Sequence, residues 1–399
     1  MTKLLDLKNN SAIAINQNNY TKEDNYKKVC YLDTDNITNN RINAFLKIDL
    51  TKEKLPSRAK RKCSINSILY SSVRPNQRHF GIIKEIPKNF LVSTAFIVID
   101  IIDLKKLDPN YLYYYITQDK ITHYLQRIAE CGTSSYPSIT PLDFLNIKIK
   151  LYPLETQQKI ARTLSVLDQK IENNHKINEL LHKILELLYE QYFVRFDFLD
   201  ENNKPYQTSG GKMKFSKELN RLIPSGWSVR FLNHKIVSTY QPKTISKTLL
   251  NNSYSYSVYG GGGIIGRFTE YNHEQSEFII SCRGQCGISY LTLPKSWITG
   301  NAMVIRPTKS YTSKTYLYHT IKKYKLTNYI TGSVQPQITR QNLSTMPILI
   351  PKRKILNKWN NISSLLWNLI HNNMQSTQTL TALRDFLLPL LLKQQVKPK

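Results

Sequence analysis

The residues whose spacing is most suggestive of chemistry are the glycines of the segment GGGGIIG at 260–266. Gly261, Gly263 and Gly266 satisfy the pattern G-x-G-x-x-G, whose backbone amides cradle a phosphate in nucleotide-binding proteins. That pattern binds a dinucleotide when it follows a strand, opens a helix and precedes an acidic residue by about 20 positions. Here a mixed sequence follows that leads into a strand-like run. We therefore favour a glycine loop whose backbone approaches a phosphate or a base edge.

Residues for hydrolysis, methyl transfer or metal binding form no recognisable motif. The sequence contains no G-x-x-x-x-G-K-[ST] phosphate loop and no Asn-Pro-Pro-aromatic or Asp-Pro-Pro-Tyr tetrapeptide of the kind that holds a flipped adenine. It also lacks a convincing Pro-Asp…Glu-x-Lys nuclease pattern. Cys282 and Cys286 have no second pair at metal-ligand spacing, and the five scattered cysteines indicate free thiols in a reducing cytoplasm. We expect neither catalytic residues nor a metal site in this chain.

Basic side chains at recurring places supply candidate contacts to DNA. Arg74 and Arg283 each end a strand-like run, so either could bind a guanine bidentately or clamp a phosphate. A structural ion pair is an equally good interpretation of both. The basic loop RAKRK at 58–62 indicates sequence-independent phosphate contacts. The predicted DNA-binding residues are Lys60, Arg61, Lys62, Arg74, Arg78, Lys243, Lys247, Arg267 and Arg283.

The charge balance favours a polyanionic partner. The chain has 56 Lys and Arg against 28 Asp and Glu, a formal charge of +28. Residues 220–351 carry 15 basic and 3 acidic side chains, whereas residues 151–219 carry 10 of each. Such an excess indicates nucleic acid or an anionic surface more than it indicates a fold.

An internal repeat organises the chain. The segments PSITPLDFL at 137–145 and PQITRQNLS at 336–344 share Pro-x-Ile-Thr and lie 199 residues apart, half the chain length. Shorter matches precede each copy, and they pair Arg74 with Arg283, Ala95 with Ala302 and Tyr111 with Tyr316. The two halves therefore look like copies of one unit.

A long helix is predicted after each copy, because glycine and proline are absent between Pro153 and Pro205 and between Pro351 and Pro389. Apolar residues there alternate at intervals of four and three, with asparagine at the midpoint, as in an antiparallel coiled coil whose polar centres meet. Core helices of two separate domains are the alternative. The predicted helix-helix and partner platform consists of Leu164, Leu167, Ile171, Asn174, Asn178, Leu181, Leu185, Leu188, Leu366, Ile370, Asn373, Leu380 and Leu387.

The predicted fold class is α+β, with two β-rich domains in pseudo-twofold repeat, separated by two long antiparallel coiled-coil helices. Short apolar runs bounded by Gly, Pro and Asn predict strands before each helix, and a helical piece around each Tyr-Leu-Tyr closes the globule. The predicted boundaries are 1–152 for the first domain, 153–197 for the central helix, 198–219 for a linker, 220–351 for the second domain and 352–395 for the C-terminal helix.

This order of globules and helices resembles the specificity subunit of type I restriction–modification systems. The resemblance covers essentially the whole chain. It rests on YPSITPLDFLNIKIKLYPLETQQKIARTLSVLDQKIENNHKINELL (136–181), IPSGW (223–227) and LTALRDFLLPLLL (380–392). Pro137, Ile139 and Thr140 match the family's domain-to-helix junction, as do Pro336, Ile338 and Thr339.

The resemblance implies a non-catalytic subunit whose two β-rich domains are target-recognition domains, each reading one half of a split double-stranded DNA site. It further implies that the helices dock two methyltransferase (modification) subunits, alongside restriction/motor subunits. It places S-adenosylmethionine, ATP and magnesium on those partners, with no cofactor on this chain. The scattered cysteines, the lack of a visible secretory signal and the shortness of the apolar run FLLPLLL favour a cytoplasmic location and no membrane contact. The chain departs from the family pattern in two places: the first domain has no IPSGW-like opening, and the second junction lacks the Glu/Gln pair of LETQQ.

Two other function classes fit the same charge pattern. A stand-alone DNA-modifying or DNA-cleaving enzyme would need an active site that the motifs do not reveal. A scaffold for RNA or a membrane would need only the basic charge.

Overall fold

The computed structural model describes residues 1–132, 136–251, 254–332 and 335–397. Every predicted site residue lies within these ranges. The chain divides into two compact units, which we call unit 1 (Met1–Asn174 with Ser376–Lys399) and unit 2 (His175–Gln375). Each unit therefore contains one β-rich globule and part of both long helices.

Unit 1 places most of its strands between α1 and α2, ahead of the first long helix. Its strands are β1 (Thr2–Lys3), β2 (Ile13–Ile15), β3 (Lys28–Leu32), β4 (Ile37–Thr38), β5 (Arg41–Ile42), β6 (Leu46–Asp49), β7 (Ala59–Arg61), β8 (Ile68–Ser71), β9 (Phe80–Ile82), β10 (Phe90–Ser93), β11 (Phe96–Ile101) and β12 (Lys148–Ile149). Its helices are α1 (Leu4–Asn9), α2 (Pro109–Ile116), α3 (Asp119–Glu130), α4 (Pro141–Leu145) and the first part of α5 (Leu154–Tyr189).

Two four-stranded sheets form the globule of unit 1, in the orders β2-β11-β8-β9 and β6-β3-β10-β7. Every residue of β8 and β9 is buried, as expected of strands covered on both faces. Phe96 of β11 lies opposite Ser71 of β8, which fixes the register of the central pair. The loop that joins β8 to β9 therefore projects from a rigid, buried base.

Unit 2 repeats this plan after a short hairpin. Its strands are β13 (Met213–Ser216), β14 (Arg221–Pro224), β15 (Ser228–Phe231), β16 (Val237–Tyr240), β17 (Tyr256–Gly260), β18 (Gly263–Phe268), β19 (Phe278–Ser281), β20 (Ser289–Leu291), β21 (Trp297–Ile298), β22 (Ala302–Pro307), β23 (Ile330–Thr331), β24 (Gln337–Ile338) and β25 (Pro347–Ile350). Its further helices are α6 (Lys314–Lys322), α7 (Arg340–Leu343) and the first part of α8 (Arg353–Leu392).

The two globules share one topology. The order β16-β22-β19-β20 matches β2-β11-β8-β9 strand for strand, and Ala302 faces Ser281 as Phe96 faces Ser71. In both units the second sheet contains one parallel pair, β3 with β10 and β17 with β21. The predicted α+β class with a repeated β-rich domain is confirmed.

The helical piece predicted around each Tyr-Leu-Tyr is also confirmed, and it packs in the same way twice. The Tyr111 hydroxyl of α2 donates to the carbonyl of Lys150 at 2.5 Å. The Tyr316 hydroxyl of α6 donates to the carbonyl of Leu349 at 2.5 Å. Each tyrosine thereby ties its globule to the strand that leads into a long helix.

The predicted pairing of Arg74 with Arg283 is wrong by one residue. The amide of Ile139 donates to the carbonyl of Ser72, and the equivalent amide of Ile338 donates to the carbonyl of Cys282. Arg283 is therefore equivalent to Val73, so the two arginines occupy neighbouring positions of the loop. The predicted pairing of Ala95 with Ala302 is wrong by the same amount, because the position of Ala95 is taken in unit 2 by Asn301, whose carbonyl accepts from Cys282.

The long helices α5 and α8 pack antiparallel within each unit. In unit 1, Asn174 donates to the hydroxyl of Thr377 at 3.3 Å. In unit 2, Asn373 donates to the side chain of Asn178 at 2.9 Å, and Asn178 donates to the carbonyl of Ile370 at 3.3 Å. The polar centres therefore meet, as predicted. All of the predicted platform residues from Leu164 to Leu387 are buried or half-buried.

The two ends of the helix pair differ in chemistry. In unit 1, Arg384 of α8 forms an ion pair with Asp168 of α5 at 2.9 Å, and Tyr114 donates to the same carboxylate at 2.6 Å. The last turn of α8 inserts Leu391 and Leu392 into the core of unit 1. Unit 2 instead surrounds the pair with aromatic rings, described below with its histidines.

The element bounds differ in detail from the sequence-based domains. The α-helical part of α5 ends at Tyr189, and a π-helical turn over Glu190–Val194 follows it directly. The segment predicted as a linker contains β13, which pairs with β14 to form a hairpin. Within the described residues, no helix is long and apolar enough to cross a membrane.

Candidate nucleic-acid interface

The β8–β9 loop of unit 1 is held by the Pro-x-Ile-Thr segment. The amide of Arg74 donates to the carbonyl of Pro137 at 2.8 Å, and Val73 forms an antiparallel bridge with Ser138. Thr140 then caps α4, its hydroxyl accepting from the amide of Asp143 at 3.2 Å. The segment that leads toward the long helix therefore also positions the loop.

Arg74 is presented from this loop and has no carboxylate partner among the residues that the structure describes. It is exposed and has a left-handed backbone, with φ at 46°, a conformation that non-glycine residues adopt rarely. Its guanidinium lies 5.4 Å from the ring centre of Tyr136, within cation–π distance. Because the surrounding hydrogen bonds impose this backbone, the side chain projects from a fixed point.

Arg78 closes the other end of the same loop against α3. Its guanidinium bonds the carboxylate of Asp119 at 2.8 Å, and Gln126 accepts from the amide of Asn76 at 3.1 Å. This cation is committed to an ion pair within the chain. Arg78 therefore stabilises the loop that carries Arg74.

The β19–β20 loop of unit 2 has the same support. Arg283 forms an antiparallel bridge with Gln337, and the Cys286 thiol donates to the carbonyl of Pro336 at 3.1 Å. The Ser281 hydroxyl accepts from the amide of Ile288 at 2.8 Å, closing the loop across its base. Arg283 itself is exposed. A fixed loop with a projecting arginine thus occurs in both units.

The glycine-rich segment is the turn of the β17–β18 hairpin and opens no helix. A Cβ at Gly261 would lie 2.8 Å from the carbonyl oxygen of Arg283, so only glycine allows this approach. Gly263 has φ at 103°, which also favours glycine. Arg267 anchors the base of the hairpin by donating to the carbonyls of Tyr254 and Ser255 at 3.1 and 3.3 Å. Burial lowers the pKa of that guanidinium.

The basic segment at 58–62 differs from the predicted loop, because Ala59–Arg61 form β7 at the edge of a sheet. Arg61 donates to the carbonyl of Phe96 at 2.6 Å, and burial lowers the pKa of its guanidinium. Lys62 pairs with Asp24 at 2.5 Å, and this hydrogen bond raises the pKa of the lysine. Lys60 is exposed between them.

The predicted DNA-binding residues therefore fall into two groups. Arg61, Lys62, Arg78 and Arg267 are bonded within their own unit. The second group is exposed and forms no ion pair among the described residues; it consists of Lys60, Arg74, Lys243, Lys247 and Arg283.

Sequence reasoning missed Tyr136, whose exposed ring stacks beside Arg74. Its place immediately before the repeated Pro-x-Ile-Thr was the available signal. It also missed the closeness of the glycine turn to Arg283, which no local pattern encodes.

The described residues bring no three potential metal ligands together. Cys282 lies inside unit 2, where the Gln241 side-chain amide donates to its sulfur at 2.8 Å, and burial raises the pKa of its thiol. Cys282 and Cys286 act here as packing groups of the β19–β20 loop.

A second apolar row runs along the outer faces of the long helices. Residues at intervals of three and four remain exposed beside the buried seam, which is the pattern of a helix that packs against further helices. We call them the outer row: Ile177, Leu180, Ile184, Leu187, Ile362, Leu365 and Leu369 in unit 2, and Val166, Leu383 and Phe386 in unit 1.

Comparisons with known proteins agree with this architecture. A family model described as the type I restriction modification DNA specificity domain matches residues 4–183 and 224–382. The type I restriction enzyme HindI specificity subunit of Haemophilus influenzae is 23% identical, over 93% of this chain and 95% of that protein. The MjaIX specificity subunit of Methanocaldococcus jannaschii is 24% identical, over 71% of this chain and 68% of that protein.

One solved structure supports the fold in particular. The crystal structure of the type I restriction–modification S subunit from M. genitalium superposes with a TM-score of 0.56. The two sequences are 17% identical, and the match covers 98% of this chain and 99% of the other.

Proposed function

The chain belongs to the family of type I restriction–modification DNA specificity subunits, and we propose that it reads the two halves of its DNA site with the β8–β9 loop of unit 1 and the β19–β20 loop of unit 2. The observation that carries this proposal is the repeated loop: each is hydrogen-bonded to a Pro-x-Ile-Thr segment and presents one exposed arginine. An arginine held in this way can bind guanine O6 and N7 bidentately in the major groove.

The remaining exposed cations serve affinity rather than sequence choice. Lys60, Lys243 and Lys247 are flexible point charges on the surface and suit contacts to phosphate. Such contacts release counterions, so binding weakens as salt rises. Arg61, Lys62, Arg78 and Arg267 contribute indirectly, by fixing the strands and loops that carry the exposed groups.

The outer row is the proposed docking surface for two modification subunits, with restriction/motor subunits joining the complex. Apolar residues at helical intervals suit partner helices, and the buried seam keeps both helices in register beneath them. S-adenosylmethionine, ATP and magnesium would bind those partners, in the cytoplasm. Family membership does not favour a stand-alone enzyme.

Exchange of one globule tests whether each globule reads one half-site. Residues 232–346 of unit 2 are replaced by the corresponding segment of another specificity subunit. The exchange leaves Trp227 and the β15–β25 pair, which frames the globule, as they are in this chain. Mapping of methylated adenines in cells that carry the partner subunits should then show one new half-site and one unchanged half-site. A change in both half-sites, or in neither, would contradict the proposal.

A further inference from the structure

The tip of the β17–β18 hairpin exposes apolar side chains beside a DNA-reading loop. Ile264 and Ile265 follow the glycine turn, and 49% and 38% of their surfaces are exposed. Ile265 packs back over Gly260, where a Cβ would lie 2.9 Å from its Cγ2. Ile264 is therefore the more projecting of the two.

The hairpin tip and the β19–β20 loop form one continuous surface. Gly261 approaches the backbone carbonyl of Arg283 so closely that a Cβ would clash at 2.8 Å, and a Cβ at Gly262 would lie 3.6 Å from the amide oxygen of Gln285. Both Arg283 and Gln285 are exposed. An apolar group thus accompanies side chains that can hydrogen-bond to bases.

Hydrogen bonds and packing fix the position of the hairpin tip. Arg267 fastens the base of the hairpin through two backbone carbonyls. A Cβ at Gly263 would lie 3.3 Å from the Tyr290 hydroxyl of β20, so the strand begins in close contact with the neighbouring sheet. Ile264 is consequently presented from a fixed point.

The charge of the domain around this surface favours a polyanion as its binding partner. Residues 220–351 hold only three acidic side chains, and one of them, Glu277, is paired with Arg306 at 2.6 Å. This cationic domain exposes an isoleucine on the hairpin whose glycine turn meets the backbone of Arg283. Such a surface suits a polyanion that also offers an apolar group. In the major groove of duplex DNA, that group is the thymine methyl.

We propose that Ile264 contacts the 5-methyl group of a thymine in the half-site read by unit 2, next to the base contacted by Arg283. This inference rests on the proposed function of the β19–β20 loop. It makes Ile264 a specificity-determining residue that discriminates a T·A pair by its methyl group.

Unit 1 presents different chemistry at the equivalent place. Its β4–β5 hairpin turns through Asn39 and Asn40, both with positive φ, as a two-residue turn requires. The amide of Asn39 donates to the carbonyl of Arg78 at 2.9 Å, and Asn40 accepts from the amide of Ile82 at 2.7 Å. This polar tip predicts that methyl dependence is confined to one half-site.

The test uses the full chain in complex with its modification subunits, on duplexes carrying the site found by methylation mapping. Each thymine is replaced singly by deoxyuridine, which removes only the methyl group, and dissociation constants are measured for wild type, Ile264→Ala and Leu222→Ala. Leu222 is also exposed on a hairpin of unit 2 and serves as the matched control.

Loss of one buried methyl contact predicts about fourfold weaker binding by wild type at one thymine of the unit 2 half-site. Ile264→Ala should bind the thymine and deoxyuridine duplexes equally well, whereas Leu222→Ala should retain the difference. The inference is overturned if Ile264→Ala retains it, if methyl dependence lies only in the other half-site, or if the unit 2 half-site has no methyl-sensitive thymine on either strand.

Failure of this inference is separable from failure of the proposed function. If globule exchange changes one half-site but Ile264→Ala behaves as wild type, only the role of Ile264 is lost. If globule exchange leaves both half-sites unchanged, the assignment of the loops fails as well.

Discussion

At the scale of single residues, the arginines divide by their partners. Arg78 and Arg74 are four positions apart in one loop, yet the first pairs with Asp119 while the second stacks on an exposed tyrosine. The one-residue offset between Arg74 and Arg283 means that the two loops present their guanidinium groups from different backbone positions. The half-sites should therefore differ in where each guanine contact falls.

Three histidines of unit 2 lie around the helix pair, two of them buried (His319 and His371) and one half-buried (His182), and no carboxylate among the described residues bonds them. His182 packs edge-on to Trp367, and the ring of His319 stacks on Tyr189. Burial lowers the pKa of His182, that of His319 to about 3 and that of His371 to about 4. The charged groups that act on them are the ammonium groups of Lys314, Lys322 and Lys323 and the carboxylate of Glu186.

These lowered pKa values predict that unit 2 loses stability in acid. The native state keeps the histidines neutral, whereas the unfolded chain takes up protons as the pH falls through 6.5, the ordinary value. His319 and His371 should each cost about 1.4 kcal/mol of unfolding free energy per pH unit below 6.5, until the pH reaches the native pKa of that histidine. His319→Phe should remove one such contribution between pH 6 and 4.

Tryptophan fluorescence is a suitable measurement, because all four tryptophans (Trp227, Trp297, Trp359 and Trp367) lie in unit 2. His234→Phe is the control, since His234 is exposed. An unchanged pH slope for His319→Phe would contradict the assignment.

At the scale of elements, the end of α8 is part of the core of unit 1. Leu391 is 1% exposed and packs with residues from the first strands and helices of the chain. The Tyr152 hydroxyl, just before α5, donates to the carbonyl of Leu392 at 2.9 Å. The first globule therefore needs residues from the opposite end of the sequence to complete its core.

Leu391→Ala should accordingly destabilise unit 1 by about 2–4 kcal/mol, because it leaves a cavity in a closed core. Denaturant unfolding followed by far-ultraviolet circular dichroism should show an earlier transition for unit 1. The tryptophan transition of unit 2 should stay in place, and Leu383→Ala, at an exposed position of the same helix, should change neither. A shift confined to the tryptophan signal would contradict this account.

At the scale of the whole molecule, the duplicated chain combines two recognition globules with two continuous helices. The seam repeats every seven residues, so a change of helix length preserves packing only in whole heptads. A four-residue insertion would instead rotate the outer row away from its partners.

Insertion of seven residues into both helices, after Asn174 and after Gln375, should change the spacer between the half-sites and leave the bases read in each half unchanged. One heptad adds about 10 Å of helix. Methylation mapping gives both quantities. A seven-residue Gly/Ser insertion in the exposed turn at 201–203 is the control, and a spacer that stays the same with the longer helices would refute their role as a ruler.

The duplicated plan, the long helices, the asparagine pairing at their centre and membership of the family can all be predicted from the amino-acid sequence alone. These features depend on periodicity and on motifs that are local in the chain, such as Pro-x-Ile-Thr and the alternation of four and three. The predicted platform residues from Leu164 to Leu387 are all buried or half-buried, which shows how strongly a heptad pattern specifies its seam.

The folded structure was needed to separate the basic residues that are bonded within their own unit from those that are exposed. Arg61 bonds Phe96, Arg78 bonds Asp119, and the glycine turn meets Arg283, in each case between residues separated by about twenty to forty positions of the sequence. Because such bonds depend on how distant strands pair, composition and spacing cannot distinguish an arginine that braces a loop from one that reads a base. The pairing of distant strands and the packing of helices against the loops determine which arginines are bonded within the chain.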